Sequence, residues 1–167
     1  LFSYFVILFD RPFEIGDFII VDDKMGVIEY IGVKTTRLRT LGGEQLICSN
    51  KDLTESRVHN YKRMEKRRVA FQIGVTYQTD PDTLEAIPNM VRSIIDSKKD
   101  VQFDRGHFSA FSDSSLNFEF IYFILSADFT VFMNTQQQVF FEIYRLFNEK
   151  GISFAYPTQT LFVNTER

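Results

Sequence analysis

The sequence predicts two domains of different class, a small all-β domain (barrel- or sandwich-like) followed by a ferredoxin-like α+β domain. From residue 11 to about residue 62, short β-prone segments alternate with tight turns and no helical pattern is present. From residue 69 onward, strand and helix patterns follow in the order β-α-β-β-α-β, which is typical of the ferredoxin-like fold. The composition of the 167 residues, 44% hydrophobic and 16% aromatic, predicts packed cores and excludes a disordered chain.

The chain begins on the apolar run Leu1–Phe9, which Asp10-Arg11-Pro12-Phe13 ends. We interpret residues 1–10 as the end of a longer hydrophobic helix. An ordinary buried strand is the alternative, because short apolar runs do not separate the two. The run has no basic flank and no starting Met, so it makes a poor signal peptide. No stretch of the sequence reaches the roughly 20 apolar residues that span a bilayer.

The predicted β-domain comprises residues 11–62. Thr35–Thr40 alternates polar and apolar side chains, as a strand with one wet face does. Gly42-Gly43 supplies the positive φ angles of a hairpin turn. The predicted strands cover residues 18–21, 27–33, 35–40, 44–48 and 58–61.

Residues 62–68 carry five positive charges and one negative charge. They lie where the β-rich part of the sequence ends and alternating strand and helix patterns begin. We interpret residues 63–68 as a solvated basic linker, with a phosphate-binding patch as the alternative.

The predicted α+β domain comprises residues 69–157. Asp80-Pro81 has the chemistry of a helix start, and Gly151 that of a helix end. Pro88 lies inside the first helix and is expected to bend or break it, because proline removes a backbone donor. The predicted elements are a strand over 69–77, a helix over 81–97, strands over 108–111 and 116–125, and a helix over 130–150. A last strand, Thr158–Asn164, lies in the tail formed by residues 158–167.

No residue is assigned a catalytic, cofactor-binding or metal-binding role. Nucleotide-binding, zinc-protease and hydrolase motifs are absent from the sequence. The single Cys48 fits a reducing compartment, and no pattern links it to His59 or His107. Asp22-Asp23 is more typical of a turn than of a cation site, and Gly42-Gly43 of a hairpin than of a phosphate cradle. We therefore predict a protein that is not an enzyme and needs no cofactor.

A resemblance extends over essentially the whole chain. It rests on Arg11–Asp17 (RPFEIGD), Gly26–Glu29, Thr36–Thr40, the glycine hairpin, Asn50 and Asn60, and then on Arg67-Arg68, Ile73–Tyr77 with Asp80, Gly151–Phe154, Tyr156-Pro157 and Gln159. In order and spacing these pieces closely resemble the small-conductance mechanosensitive channel family (MscS-type). Two departures are Cys48-Ser49 before Asn50, where the family usually has Ile-Pro, and Pro88.

The resemblance implies a subunit of a homoheptameric channel in the cell inner membrane. Residues 1–10 would then be the end of the pore-lining transmembrane helix, and a membrane-spanning region would precede them. The two domains would lie on the cytoplasmic side and form a hollow vestibule. Membrane tension would open the pore and release ions and small osmolytes on hypo-osmotic shock. The C-terminal strands of the subunits would pair as a parallel barrel.

Two other functions are weighed against this one. A β-barrel followed by a ferredoxin-like unit occurs in RNA-binding proteins, but the net charge of −3 and the absence of an RNP1-like pattern count against a nucleic-acid-binding module. A ligand-sensing ferredoxin-like domain would be stabilised by a specific small molecule. We expect neither a nucleic acid nor a small-molecule substrate as partner.

Overall fold

The computed structural model describes residues 2–159, and these divide between Glu65 and Lys66 into two compact units. We call them the β-unit (residues 1–65) and the α+β unit (residues 66–167). The predicted fold class, a small β-domain followed by an α+β domain, is confirmed. The elements of the β-unit are α1 (Phe2–Asp10), β1 (Phe18–Val21), β2 (Lys24–Ile31), β3 (Thr35–Arg39), β4 (Gln45–Ser49), α2 (Asn50–Glu55) and β5 (Val58–Asn60).

The β-unit contains one antiparallel sheet in the order β4-β3-β2-β1-β5. Gly26 allows β2 to approach β3 closely, because a Cβ atom there would lie 2.5 Å from the backbone oxygen of Arg39. Because successive side chains of a strand point to opposite faces of the sheet, every second residue lies on the inner face. The core is Ile7, Phe13, Ile19, Val21, Ile28, Leu38 and Leu53.

The expectation that residues 11–62 contain no helix is wrong. Ser49, one of the two departures from the family pattern, is the N-cap of α2, and its hydroxyl accepts a hydrogen bond from the Lys51 amide at 3.2 Å. Leu53 is the one apolar side chain that α2 buries. Six residues are too few to display a helical period, so the hydrophobic pattern gave no signal.

The α+β unit contains β6 (Arg67–Val75), α3 (Pro81–Asp96), β7 (Val101–Phe111), β8 (Leu116–Ile124) and α4 (Phe129–Lys150). The three strands form an antiparallel sheet in the order β6-β8-β7. Its inward side chains pack with the apolar faces of α3 and α4. An isolated antiparallel bridge pairs Phe154 with Val75 on the other side of β6, where a ferredoxin-like fold has its fourth strand.

Helix ends follow the sequence closely. The Asp80 carboxylate accepts from the Thr83 amide at 3.0 Å and begins α3, with Pro81 in the first turn. Gly151, at φ 69°, ends α4 in the left-handed conformation. Both predictions are confirmed.

Three other predictions meet different outcomes. Of the bend or break expected at Pro88, the break is wrong, because α3 continues as one helix through that residue, and the bend stays a prediction. The strand expected over residues 108–111 begins seven residues earlier, at Val101. Its alternation is hidden by two register shifts, between Phe103 and Arg105 and between Phe108 and Ala110. In the predicted strand 158–164, residues 158 and 159 are not in a strand, and the remainder lies outside the described residues.

Candidate functional site

The titratable groups that the sequence analysis weighed for chemistry do not form a reactive site. Cys48 is half-buried, and burial raises the pKa of its thiol, which is the opposite of what an activated nucleophile needs. Asp23 pairs with Lys24 at 3.1 Å, and Asp22 accepts from the Ser56 hydroxyl at 3.2 Å. Within residues 2–159, no three His, Cys, Asp or Glu side chains are grouped as a metal site would require.

The first candidate for function is α1, an apolar helix that the β-unit leaves largely uncovered. Ile7 alone is buried, at 3% exposure, and it joins the core of the β-unit. Phe2 and Phe9 are 82% and 76% exposed, and Phe5 and Leu8 are also exposed. Among the described residues, no helix is long and apolar enough to cross a membrane. Helix α1 therefore presents apolar surface that only a partner outside the β-unit can cover.

Beside α1 lies an open groove of about 400 Å³. It runs between the helix, the following loop and the end of β2, and its apolar lining is Tyr4, Ile7, Leu8, Phe13, Ile15 and Ile31. The charged Arg11 and Glu14 complete the lining, so the groove offers both apolar and charged contact surface.

The loop after α1 is held by a buried carboxylate, Asp17, which is 3% exposed. It accepts hydrogen bonds from the Asn60 side-chain amide at 2.7 Å and the Glu14 backbone amide at 3.0 Å. The Lys62 ammonium lies 3.2 Å from its second oxygen. We call Asp17, Asn60 and Lys62 the Asp17 cluster.

Two opposing effects set the pKa of Asp17. Burial alone would raise it, but the hydrogen bonds from Asn60 and the Glu14 amide and the charge of Lys62 outweigh burial and hold it below its usual value of 3.8. The carboxylate is thus ionised and bonded at neutral pH.

A second buried polar cluster holds the turn between β2 and β3 to α2. Asn50 accepts from the Thr36 hydroxyl at 2.8 Å and donates to the Gly32 carbonyl at 2.8 Å. Its backbone amide donates to the Lys34 carbonyl at 2.9 Å. Thr36 and Asn50 are both buried, so each polar group there needs its partner.

Most cations of the basic run, residues 62–68, contact groups of their own unit. Lys62 belongs to the Asp17 cluster, and the Arg63 guanidinium donates to the Arg11 carbonyl. In the α+β unit, Lys66 lies over the Phe123 ring and Arg67, within β6, lies over the rings of Phe129 and Phe132. Each of these four cations has a partner in its own unit, whereas Arg68 is exposed.

Helix α4 carries six exposed apolar side chains. They are Phe129, Val131, Met133, Phe140, Phe141 and Tyr144. Phe140 also contacts the Phe71 ring at 5.1 Å between centroids and lines a small groove of about 230 Å³ next to β6. Exposed aromatic surface of this kind is typical of contacts between subunits.

Sequence reasoning identified part of this site. Asp17, Asn50 and Asn60 were singled out by the family resemblance, but without a role, and the structure places Asp17 and Asn60 together. The contributions of Thr36 and Lys62 were missed. A buried polar residue has no distinct pattern in the sequence, and the partners lie 14 and 45 positions apart along the chain.

Each of the two units matches a known protein family. The mechanosensitive ion channel β-domain family matches residues 1–63, and the mechanosensitive ion channel MscS C-terminal family matches residues 69–154. Their order along the chain is the order of the two units.

Similar proteins over nearly the whole chain are also named as MscS family proteins or mechanosensitive channels. An uncharacterized MscS family protein of Aquifex aeolicus is 31% identical over 164 residues, covering 96% of this chain and 45% of the relative. The low conductance mechanosensitive channel YnaI of Escherichia coli is 31% identical, covering 98% and 49%. The small-conductance mechanosensitive channel MscMJ of Methanocaldococcus jannaschii is 29% identical, covering 96% and 46%. The chain spans about half the length of these relatives.

Solved structures share the fold. Arabidopsis thaliana MSL1 superposes with a TM-score of 0.82 at 22% identity, covering 92% of this chain and 56% of that chain. Helicobacter pylori MscS in its closed state superposes with a TM-score of 0.79 at 20% identity, covering 98% and 64%.

Proposed function

Since the chain belongs to the MscS family of mechanosensitive ion channels, which are not enzymes, we propose that it is the cytoplasmic, vestibule-forming part of a tension-gated channel subunit. The subunit would release ions and small osmolytes on hypo-osmotic shock. The observation that carries the proposal is the match of both units, in order, to the two soluble domains of one channel family.

The surface of α1 supports a membrane-linked role. A helix whose Phe2, Phe5, Leu8 and Phe9 are exposed needs apolar cover, and the end of a membrane-spanning helix would have it. We propose that α1 continues a transmembrane helix encoded upstream, that the protein lies in the inner membrane, and that both units are on the cytoplasmic side.

Assembly into a ring is the second part of the proposal. The β-unit buries a small core, and lateral contact between copies is an economical way to stabilise such a unit. The exposed aromatic residues of α4 offer further contact surface. We propose a homoheptamer, and native mass spectrometry of the detergent-solubilised full-length protein is expected to give seven copies. A monomer under the same conditions would contradict a ring.

Survival of osmotic downshock tests the cellular role. Full-length protein expressed in bacteria that lack their own mechanosensitive channels is expected to restore survival after a sudden fall in external osmolarity. The control is the variant Gly26→Val, whose Cβ would lie 2.5 Å from the backbone oxygen of Arg39 and which is therefore expected to disrupt the sheet. Equal survival with and without the wild-type protein, at confirmed expression, would contradict the proposal.

No observation favours the nucleic-acid-binding alternative. Four of the five basic residues of its predicted patch have partners within their own units, as described for Lys62 and Arg67, and Arg68 is exposed.

A further inference from the structure

We infer that Asn60 is a positioning residue that joins the loop after α1 to the segment leaving the β-unit, so that displacement of α1 reaches residues 60–63 directly. The inference rests on the proposed function, because it concerns how movement of α1 is transmitted. It assigns to the Asp17 cluster a mechanical role that sequence similarity does not specify.

The geometry of Asn60 supports this role. Its side-chain nitrogen donates to the Asp17 carboxylate at 2.7 Å and to the Pro12 carbonyl at 3.3 Å. Its side-chain oxygen accepts from the backbone amides of Lys62 and Arg63 at 3.1 and 3.4 Å. One amide group therefore bonds to both segments, which are more than 40 positions apart along the chain.

We call this side-chain link through Asn60 the joint. Backbone hydrogen bonds between the two segments do not replace it. The β1–β5 ladder contains three residue pairs and ends with Ile19 opposite Asn60, followed by one bond from the Tyr61 amide to the Phe18 carbonyl at 3.0 Å. Beyond that point, the recorded bonds between residues 11–17 and residues 60–63 all involve side chains: those of the Asp17 cluster and that of Arg63 to the Arg11 carbonyl.

The loop is also tied to α1 itself. The Arg11 amide donates to the Ile7 carbonyl at 3.1 Å, and the Phe13 side chain is 1% exposed within the core that holds Ile7. A displacement of α1 therefore moves the loop that is bonded to it, and the hydrogen bonds of Asn60 transmit this displacement to residues 60–63. These residues precede β6 by only a few positions in the sequence.

Amide hydrogen exchange on the full-length protein in liposomes tests the joint in two states. At rest, Asn60→Leu, which removes the bonds but keeps the approximate volume, is expected to accelerate exchange of the Glu14 and Lys62 amides together, by about tenfold or more. The double variant D17N/N60D exchanges the carboxylate and the amide, and it is expected to recover part of the protection.

Swelling the liposomes in dilute medium supplies tension. In wild-type protein, segments 11–17 and 60–63 are expected to change their exchange together on swelling. In Asn60→Leu, segment 11–17 is expected to respond as in the wild type, and the response of segment 60–63 is expected to be weaker, because only the contacts of Lys62 and Arg63 remain. The matched control is Asn117→Leu, which removes a partly buried asparagine whose side-chain bonds reach only Ser112 and Ser115. It is expected to leave the joint response intact.

The outcomes separate the two proposals. An unchanged response of segment 60–63 in Asn60→Leu, or a wild-type response confined to segment 11–17, would overturn the joint while leaving the channel proposal standing. If neither wild-type segment responds to swelling, the tension-gating proposal fails. The resting exchange still decides the joint in that case, because faster exchange in only one segment would overturn it.

Discussion

The two units of this chain are organised by different interactions. In the α+β unit a continuous apolar cluster of sixteen buried residues lies between the sheet and the two long helices, whereas the corresponding cluster of the β-unit has seven. The buried polar residues of the described chain, Asp17, Thr36 and Asn50, all lie in the β-unit. The comparison teaches that apolar burial stabilises the α+β unit, while directional polar bonds fix the loops of the β-unit.

The largest effect is expected from an apolar truncation in the α+β unit. Phe120 is fully buried and stacks on Phe71 at 5.4 Å between ring centroids. Phe120→Ala is expected to lower the free energy of unfolding of that unit by about 3–5 kcal/mol. Amide hydrogen exchange of each unit in the full-length protein measures the loss. The exposed Phe111→Ala is the control, and an equal loss there would contradict a core held by burial.

The next effect is expected at Asp17. Asp17→Asn removes a buried charge acceptor and turns one of its oxygens into a donor, so the β-unit is expected to lose about 2–3 kcal/mol at neutral pH.

The same group predicts a pH dependence. Because the folded-state pKa of Asp17 is lowered below 3.8, its contribution is present above that pH and is lost as the pH falls through the folded value. The β-unit of the wild-type protein is therefore expected to lose protection against amide hydrogen exchange below about pH 4. In Asp17→Asn this loss is expected to be smaller. Identical acid profiles for the two proteins would contradict the role of the carboxylate.

A smaller effect is expected from a single buried hydroxyl. Thr36→Val keeps the shape of the side chain but removes the donor to Asn50. It is expected to lower the free energy of unfolding of the β-unit by about 1–2 kcal/mol. Thr35→Val on the same strand is the control, and its change is expected to stay within about 0.5 kcal/mol. Equal losses in the two variants would mean that the hydrogen bond is not what stabilises the turn.

The smallest effect is expected from a polar group in the apolar unit. The Tyr122 hydroxyl is buried, and it has no hydrogen-bond partner among residues 2–159; burial raises the pKa of Tyr122 to about 12. Tyr122→Phe removes an unpaired polar atom, so it is expected to be neutral or slightly stabilising. A loss comparable with that of Thr36→Val would show that the α+β unit also depends on polar bonds.

The same contrast explains how much the sequence could reveal. Long periodic elements with capped ends, such as α3 with Asp80 and α4 with Gly151, were predictable because their signals are local. Helix α2 was not, because six residues with one buried side chain show no period. The early part of β7 was hidden by register shifts next to Asp104 and Arg105.

The candidate site was predictable only in part. The motif Arg11–Asp17, the residues Asn50 and Asn60, and the apolar character of the first residues could be read from the sequence. Which polar residues become buried together could not, because the bond from Asn60 to Asp17 joins residues 43 positions apart. Such pairing depends on the strand order that brings β1 and β5 side by side.

Single-channel recording tests the central proposal most directly. Full-length protein in a patch of otherwise channel-free lipid bilayer is expected to give discrete conductance steps whose open probability rises with applied suction and falls when suction is released. The control is a patch of the same lipid without protein. A protein-containing patch that stays silent up to the tension at which the bilayer ruptures, with the protein shown to be inserted and oligomeric, would contradict the account.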